Sequence, residues 1–168
     1  MKKSMDLQKH RAKFRMPIDK KFKKLWKYYI LQSFLAAVAL FIIVLVLDKD
    51  KMVVISAMGA TAFIVFAMPN AASAHSKNVI GGHLVGLILG MFFFFFIDIP
   101  YFYEFPLIVG IAIFVMAALD VEHPPAVGTA LAVLINEVST EVVFIIIAAA
   151  VILSVCHYYL RHHLKDLV

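Results

Sequence analysis

Of 168 residues, 63% are hydrophobic and only 16% charged, and the mean hydropathy is +0.91. A soluble domain of this length is nearer half apolar, so the composition excludes a water-soluble globule and points to one compact all-α membrane domain. The net charge of +5 is concentrated before Tyr28, and a basic arm abutting an apolar run reads as a cytoplasmic topology signal rather than a nucleic-acid-binding segment.

The arm takes up residues 1–27. Phe22, Leu25, Trp26 and Tyr29 recur at helical spacing among Lys20, Lys21, Lys23, Lys24 and Lys27. That pattern predicts an amphipathic helix on an anionic inner leaflet, with Pro17 near its start. The arm is too long for a cleaved signal peptide, and the apolar run after it is long enough to span.

Residues 28–47 then supply about 20 mostly apolar positions, close to the ~30 Å needed to cross the hydrocarbon core. Asp48-Lys49-Asp50-Lys51 ends that run. Residues 52–68 form a shorter run, stopped by Pro69-Asn70. Residues 79–97 span again, residues 105–119 are barely long enough, and residues 126–135 are too short to cross alone. Residues 142–160 make the last span, and residues 161–168 form a short cytoplasmic tail. Both ends carry aromatic and basic residues, so both are expected on the cytoplasmic side, which requires an even number of crossings. The transmembrane domain, 28–160, is therefore a polytopic helical bundle. It has either four full spans with two short or re-entrant segments, or six segments arranged as a 3+3 inverted repeat. A faint internal match supports the repeat: the run from Ser56 through Gly59 and Thr61 lines up with the run from Pro125 through Gly128 and Thr129. Paired short segments in corresponding positions point to a transporter's substrate site.

The most informative stretch is Asp120-Val121-Glu122-His123-Pro124-Pro125. A stranded acid inside a bilayer costs about 2.5–3.5 kcal/mol, and a Pro-Pro pair interrupts the helix that would satisfy the backbone. Such a break is tolerated where protein packs around it or where it lines a polar cavity. Pro124 and Pro125 suit the first turn of a helix whose leading amides, at Ala126, Val127 and Gly128, then lie at the positive end of its dipole. With Thr129, these groups make a candidate site for a small anion, faced by Ser56, Gly59 and Thr61 of the other half. His123 could carry a proton, offset an anion's charge, or simply hydrogen-bond within the protein.

Asn78, Gly81, Gly82 and His83 open the third segment. Gly82, Gly86 and Gly90 recur every four residues, the spacing for close helix packing, and His83 lies about 100° around the helix from Gly82. No pair among His75, His83 and His123 has the i, i+4 spacing of helical metal ligands, so no metal and no cofactor is expected.

The segment Glu122-His123-Pro124-Pro125, followed by Gly128-Thr129-Ala130, resembles the signature of the HPP family of integral membrane proteins. Ser56-Ala57-Met58-Gly59-Ala60-Thr61-Ala62, Phe66-Ala67-Met68-Pro69 and Asn78-Val79-Ile80-Gly81-Gly82-His83 resemble that family's other motifs, in the same order. The resemblance implies a small helical membrane domain and, as in plastid and cyanobacterial relatives, a role in nitrite transport. It implies site residues at Ser56, Gly59, Thr61, Asn78, Gly81, Gly82, His83, His123, Pro124, Pro125, Gly128 and Thr129. The chain departs from the family pattern where His75-Ser76-Lys77 replaces a Gln-Pro-Arg run, exchanging a bidentate guanidinium for an ammonium. The expected function is passage of a small inorganic anion by a homo-oligomer. The alternative from another class is a membrane scaffold or sensor recruiting a partner through the basic arm. An enzyme is not expected, because no nucleophile or cofactor motif accompanies His123 and Glu122.

Overall fold

The computed structural model describes residues 20–46, 52–135 and 140–168, and all regular structure among them is helical. The elements are α1 (Lys20–Val46), α2 (Met52–Ala67), a 3-10 turn (Ala72–Ala74), α3 (Ser76–Phe96), α4 (Tyr101–Ala118), α5 (Pro124–Ile135) and α6 (Thr140–Leu160). α1, α3, α4 and α6 are long and apolar enough to cross a membrane, and α2 and α5 are shorter apolar helices. The 21 residues of α3 extend about 31 Å and the 12 of α5 about 18 Å.

Lys20, Lys21, Lys23, Lys24 and Lys27 lie in the first turns of α1, which runs on unbroken into the apolar span. No Gly or Pro stands between Lys20 and Val46 to interrupt it. The rest of the arm, with Pro17, and the charged run at 48–51 lie outside the described residues.

The two ends of this bundle meet. Tyr29 of α1 donates through its hydroxyl to the Leu167 carbonyl (2.6 Å), and Lys21 donates to the Val168 carbonyl (2.9 Å). Gln32, buried in α1, reads the tail backbone on both sides. Its amide nitrogen donates to the Lys165 carbonyl (2.9 Å), and its oxygen accepts from the Lys165 N–H (3.0 Å). The same nitrogen also donates to the Phe66 carbonyl, and the Leu167 N–H donates to the Ala67 carbonyl, at the end of α2. His157, late in α6, donates through Nε2 to the Pro69 carbonyl (2.8 Å). The start of α1, the end of α2 and the end of α6 therefore share one end of the bundle, and successive helices alternate in direction. Residues 161–168 are docked rather than free: Leu164 and Leu167 are buried.

The main core joins Val54, Met58 and Val65 of α2 to Leu87 of α3, Val133 of α5, and Ile146 and Leu153 of α6. α4 stands at the margin, with Ile108, Ala112 and Met116 as its buried side chains. The tightest approach is α5 against α3, and it depends on glycine. A methyl group at Gly86 would lie 2.4 Å from the Ala126 carbonyl oxygen; at Gly82 and Gly90 it would lie 2.6 Å from the Cβ atoms of His123 and Val133. The glycine stripe thus packs α5 and the break against α3.

Gly86→Ala is expected to cost at least the roughly 1–3 kcal/mol of an overpacked core, because the obstructing atom is backbone and cannot rotate away. Gly110→Ala, with nothing within 4 Å of the new carbon, is expected to leave stability unchanged or raise it. Thermal melting of the detergent-purified variants checks both.

Candidate functional site: a buried threonine–histidine cluster at the helix break

The break between α4 and α5 is built from backbone chemistry. α4 closes with the Val121 N–H donating to the Met116 carbonyl (2.9 Å) and the Asp120 N–H to the Ala117 carbonyl (3.3 Å). This double return leaves Asp120 at a φ of 54°, a left-handed position usually filled by Gly and tolerated by Asp. At the surface the Asp120 carboxylate pairs with Lys77 of α3. The hydrogen bond from Lys77, and then its charge, hold the carboxyl below the ordinary carboxylate range.

Val121, Glu122 and His123 then cross the start of α3. Val121 lies over Gly81, where a methyl group would come 2.8 Å from Cγ1, and the Asn78 side-chain amide donates to the Glu122 carbonyl (3.2 Å). Pro124 and Pro125 occupy the first turn of α5, as their missing N–H groups predict. The Ala126 N–H, expected to be free for an anion, donates to the His123 carbonyl (2.9 Å).

Four polar side chains converge behind this turn. Thr61 of α2, His83 of α3, His123 of the break and Thr129 of α5 are each no more than 1% exposed. Thr61 Oγ1 lies 3.0 Å from His83 Nε2, 3.0 Å from His123 Nε2 and 3.0 Å from the Ala57 carbonyl oxygen. His83 Nδ1 lies 2.8 Å from Thr129 Oγ1, and His123 Nδ1 lies 2.7 Å from the Ser73 carbonyl oxygen. A carbonyl can only accept, so His123 Nδ1 carries hydrogen. With both imidazoles neutral, one assignment joins all four side chains. Thr129 donates to His83 Nδ1, His83 Nε2 donates to Thr61, Thr61 donates to His123 Nε2, and His123 Nδ1 donates to Ser73. The cluster is a single directed chain of hydrogen bonds joining three helices, the break and the 3-10 turn.

A cavity of about 270 Å³ opens between α4 and α5 beside it. Met116 and Ala117 line one side, Pro124 and Val127 the other, and Glu122 and His123 the end. A second cavity, of about 200 Å³, lies by Tyr29, Gln32, Phe66 and Leu167 at the docked tail, away from the histidines.

Of the residues singled out in the sequence, Thr61, His83, His123 and Thr129 come together in direct contact. Asn78, Gly81 and Gly82 hold the break from the α3 side; Pro125 is buried under it and Pro124 is exposed at the cavity. Ser56 and Gly59 lie elsewhere on α2: Ser56 is exposed, and Gly59 faces Leu40 of α1 at 3.6 Å. A methyl group at Gly128 would lie 3.3 Å from the Ala57 Cβ, so its small size serves the approach of α5 to α2. Sequence reasoning missed the carbonyls of Ser73 and Ala57 because backbone acceptors have no residue signature. It missed Gln32 too, though a lone amide in an apolar span was a usable signal.

The fold and this buried site define a helical integral membrane protein. The family model described as HPP, transmembrane region, matches residues 20–165, and the chain belongs to that family. No curated protein and no solved structure matches the chain.

Thr61→Val removes the hydroxyl shared by both histidines and leaves buried nitrogens unpaired. It is expected to lower stability by about 1–3 kcal/mol, read as melting temperature in detergent, with Thr61→Ser close to the parent. Asp120→Asn tests the ion pair. Its carboxyl lies below the ordinary value of 3.8, so the pair contributes above that pH and is lost as pH falls through the lowered value. The variant is expected to melt slightly below the parent at pH 7, and the gap is expected to close under strongly acid conditions.

Proposed function

We propose that this protein carries a small monovalent anion across the membrane, with nitrite the first candidate. One observation carries the reading: in an apolar bundle, two histidines and two threonines are gathered at a helix break, next to a cavity. Polar groups at such depth are costly, and purely structural packing at this junction would be served by apolar side chains. Nitrite comes from the family resemblance of the four motifs, not from the geometry. A nitrite ion is small against a cavity of about 270 Å³ and would share it with a few waters.

In this reading the anion enters between α4 and α5 and meets His123 at the cavity's end. α4, with three of its 18 side chains buried, is the loosely packed wall of that route. The four long helices and the meeting of α1 with the tail support an even number of passes. The basic start of α1 supports a cytoplasmic end against anionic lipid. A bundle this small supports a homo-oligomer as the working form. The protein is not an enzyme in this account.

The test is nitrite uptake by proteoliposomes, measured above the leak of empty liposomes. Saturable uptake is expected for the parent. A loss of about tenfold or more, equivalent to ~1.4 kcal/mol, is expected for His123→Ala and Thr129→Val eluting as folded protein. Parent flux no faster than the leak removes nitrite, and silence across a panel of small anions replaces transport with the scaffold reading.

A further inference from the structure

The cluster is one hydrogen short of its contacts. Five close contacts surround the four side chains: Thr61 to Ala57, Thr61 to His83, Thr61 to His123, His83 to Thr129, and His123 to Ser73. With both imidazoles neutral, the two hydroxyls and two rings supply one hydrogen each. The Thr61 hydrogen must then choose between His123 Nε2 and the Ala57 carbonyl, and one contact goes without. Protonation of His83 leaves this choice unresolved. Protonation of His123 on Nε2 resolves it: both rings donate to the two lone pairs of Thr61 Oγ1, Thr61 donates to Ala57, and all five contacts are filled.

The surroundings make this added proton conditional. α2 contributes Thr61 and α4 contributes apolar side chains at the cavity. α3 contributes His83 and Asn78, and its Lys77 is held at the surface by Asp120. The 3-10 segment contributes the Ser73 carbonyl, with His75 exposed near His157. No Lys or Arg among the described residues contacts the cluster. Glu122, exposed beside the same cavity, adds a negative group at its end. An anion alone would meet no fixed positive charge there, and a buried imidazolium alone would have only the solvent-exposed Glu122 carboxylate near it. Either charge by itself is expensive in an apolar interior, and the two together offset each other.

We propose that His123 takes up one proton with each anion, so that anion and proton cross together with no net charge. The proton adds to the Nε2 lone pair, the Thr61 hydroxyl turns to the Ala57 carbonyl, and release reverses both movements. No other bond forms or breaks. The inference rests on the transport reading above and assigns its coupling: the substrate class is an anion delivered as its acid equivalent.

Two measurements on the full chain separate the coupling from transport itself. In lightly buffered detergent at pH 7, sodium nitrite and, separately, sodium nitrate are added to the protein. Uptake of about one proton per bound anion is expected from the parent, and none from His123→Asn, whose amide can still donate to Ser73. In proteoliposomes, nitrate is the main probe, because its acid does not leak through lipid. Its uptake is expected to acidify the interior one proton per anion and to be unchanged by an imposed membrane potential. Nitrate or nitrite flux that follows the potential, with no proton movement, overturns the coupling and leaves the transport reading standing. Anion binding without proton uptake overturns it as well. Absence of both binding and flux for the whole panel removes the coupling together with the transport reading.

Discussion

The approach of α5 to α3 sets where the four polar side chains of the threonine–histidine cluster are placed. Gly82 and Gly86 let the His123 Cβ and the Ala126 carbonyl lie against the α3 backbone, and Gly81 admits Val121 one turn earlier. With the break pressed into that groove, His123 is driven toward α2, where Thr61 waits, and Thr129 is set beside His83. A methyl group at any of these glycines would meet the break at 2.4–2.8 Å, inside van der Waals contact, and push it off α3. The small-residue spacing is therefore a packing device whose consequence is chemical.

Such a groove makes a polar cluster possible but does not make it cheap. Two imidazoles and two hydroxyls are removed from water entirely, and each must find partners inside. The chain from Thr129 to Ser73 supplies them at 2.7–3.0 Å, drawing its last acceptor from the Ser73 carbonyl within the 3-10 turn. The break needs its own satisfaction. The double return at the end of α4, the Asn78 amide on Glu122 and the proline pair at the start of α5 leave little unpaired backbone there. The Lys77–Asp120 pair lies outside this economy; it is exposed, fastens the turn to α3, and keeps the nearest ammonium out of the cluster.

Much of this was legible in the sequence, for reasons that can be named. Apolar runs at 28–47, 79–97, 105–119 and 142–160 announce α1, α3, α4 and α6, because crossing length is a property of each segment alone. The Pro-Pro pair announced the first turn of α5, since a missing N–H is harmless only there. His83 and His123 could be singled out as polar groups in apolar surroundings. Their meeting at Thr61 could not, because it depends on how three helices and a loop pack, and the motif match carried Thr61 without saying what it touches. Ser56 and Gly59 show the converse. They share the motif with Thr61, but a helix turns 100° per residue, so neighbours in a motif need not share a face. The basic arm was read as a surface helix from its own periodicity; the continuity of α1 past Lys27 reflects the absence of any residue that would break it. The docked tail was invisible for a further reason. Gln32 binds the backbone of Lys165, and a backbone partner 133 residues away leaves no pattern to read.

The tail and the cluster belong to one mechanical arrangement. Residues 164–167 fasten the start of α1 to the end of α2, through Gln32, Tyr29 and the Ala67 carbonyl. α2 also carries Thr61, about six residues before that fastening, which is under two helical turns. Beyond Ala67 the chain passes Pro69, whose carbonyl is held by His157, and reaches Ser73, whose carbonyl is held by His123. Both of His123's partners are thereby tied to the side of the bundle where α2 and α6 pack. The opposite wall, α4, has few buried side chains and ends in the turn that delivers His123. Thr61, His83 and Thr129, carried on α2, α3 and α5, hold its imidazole in register through one connected set of contacts.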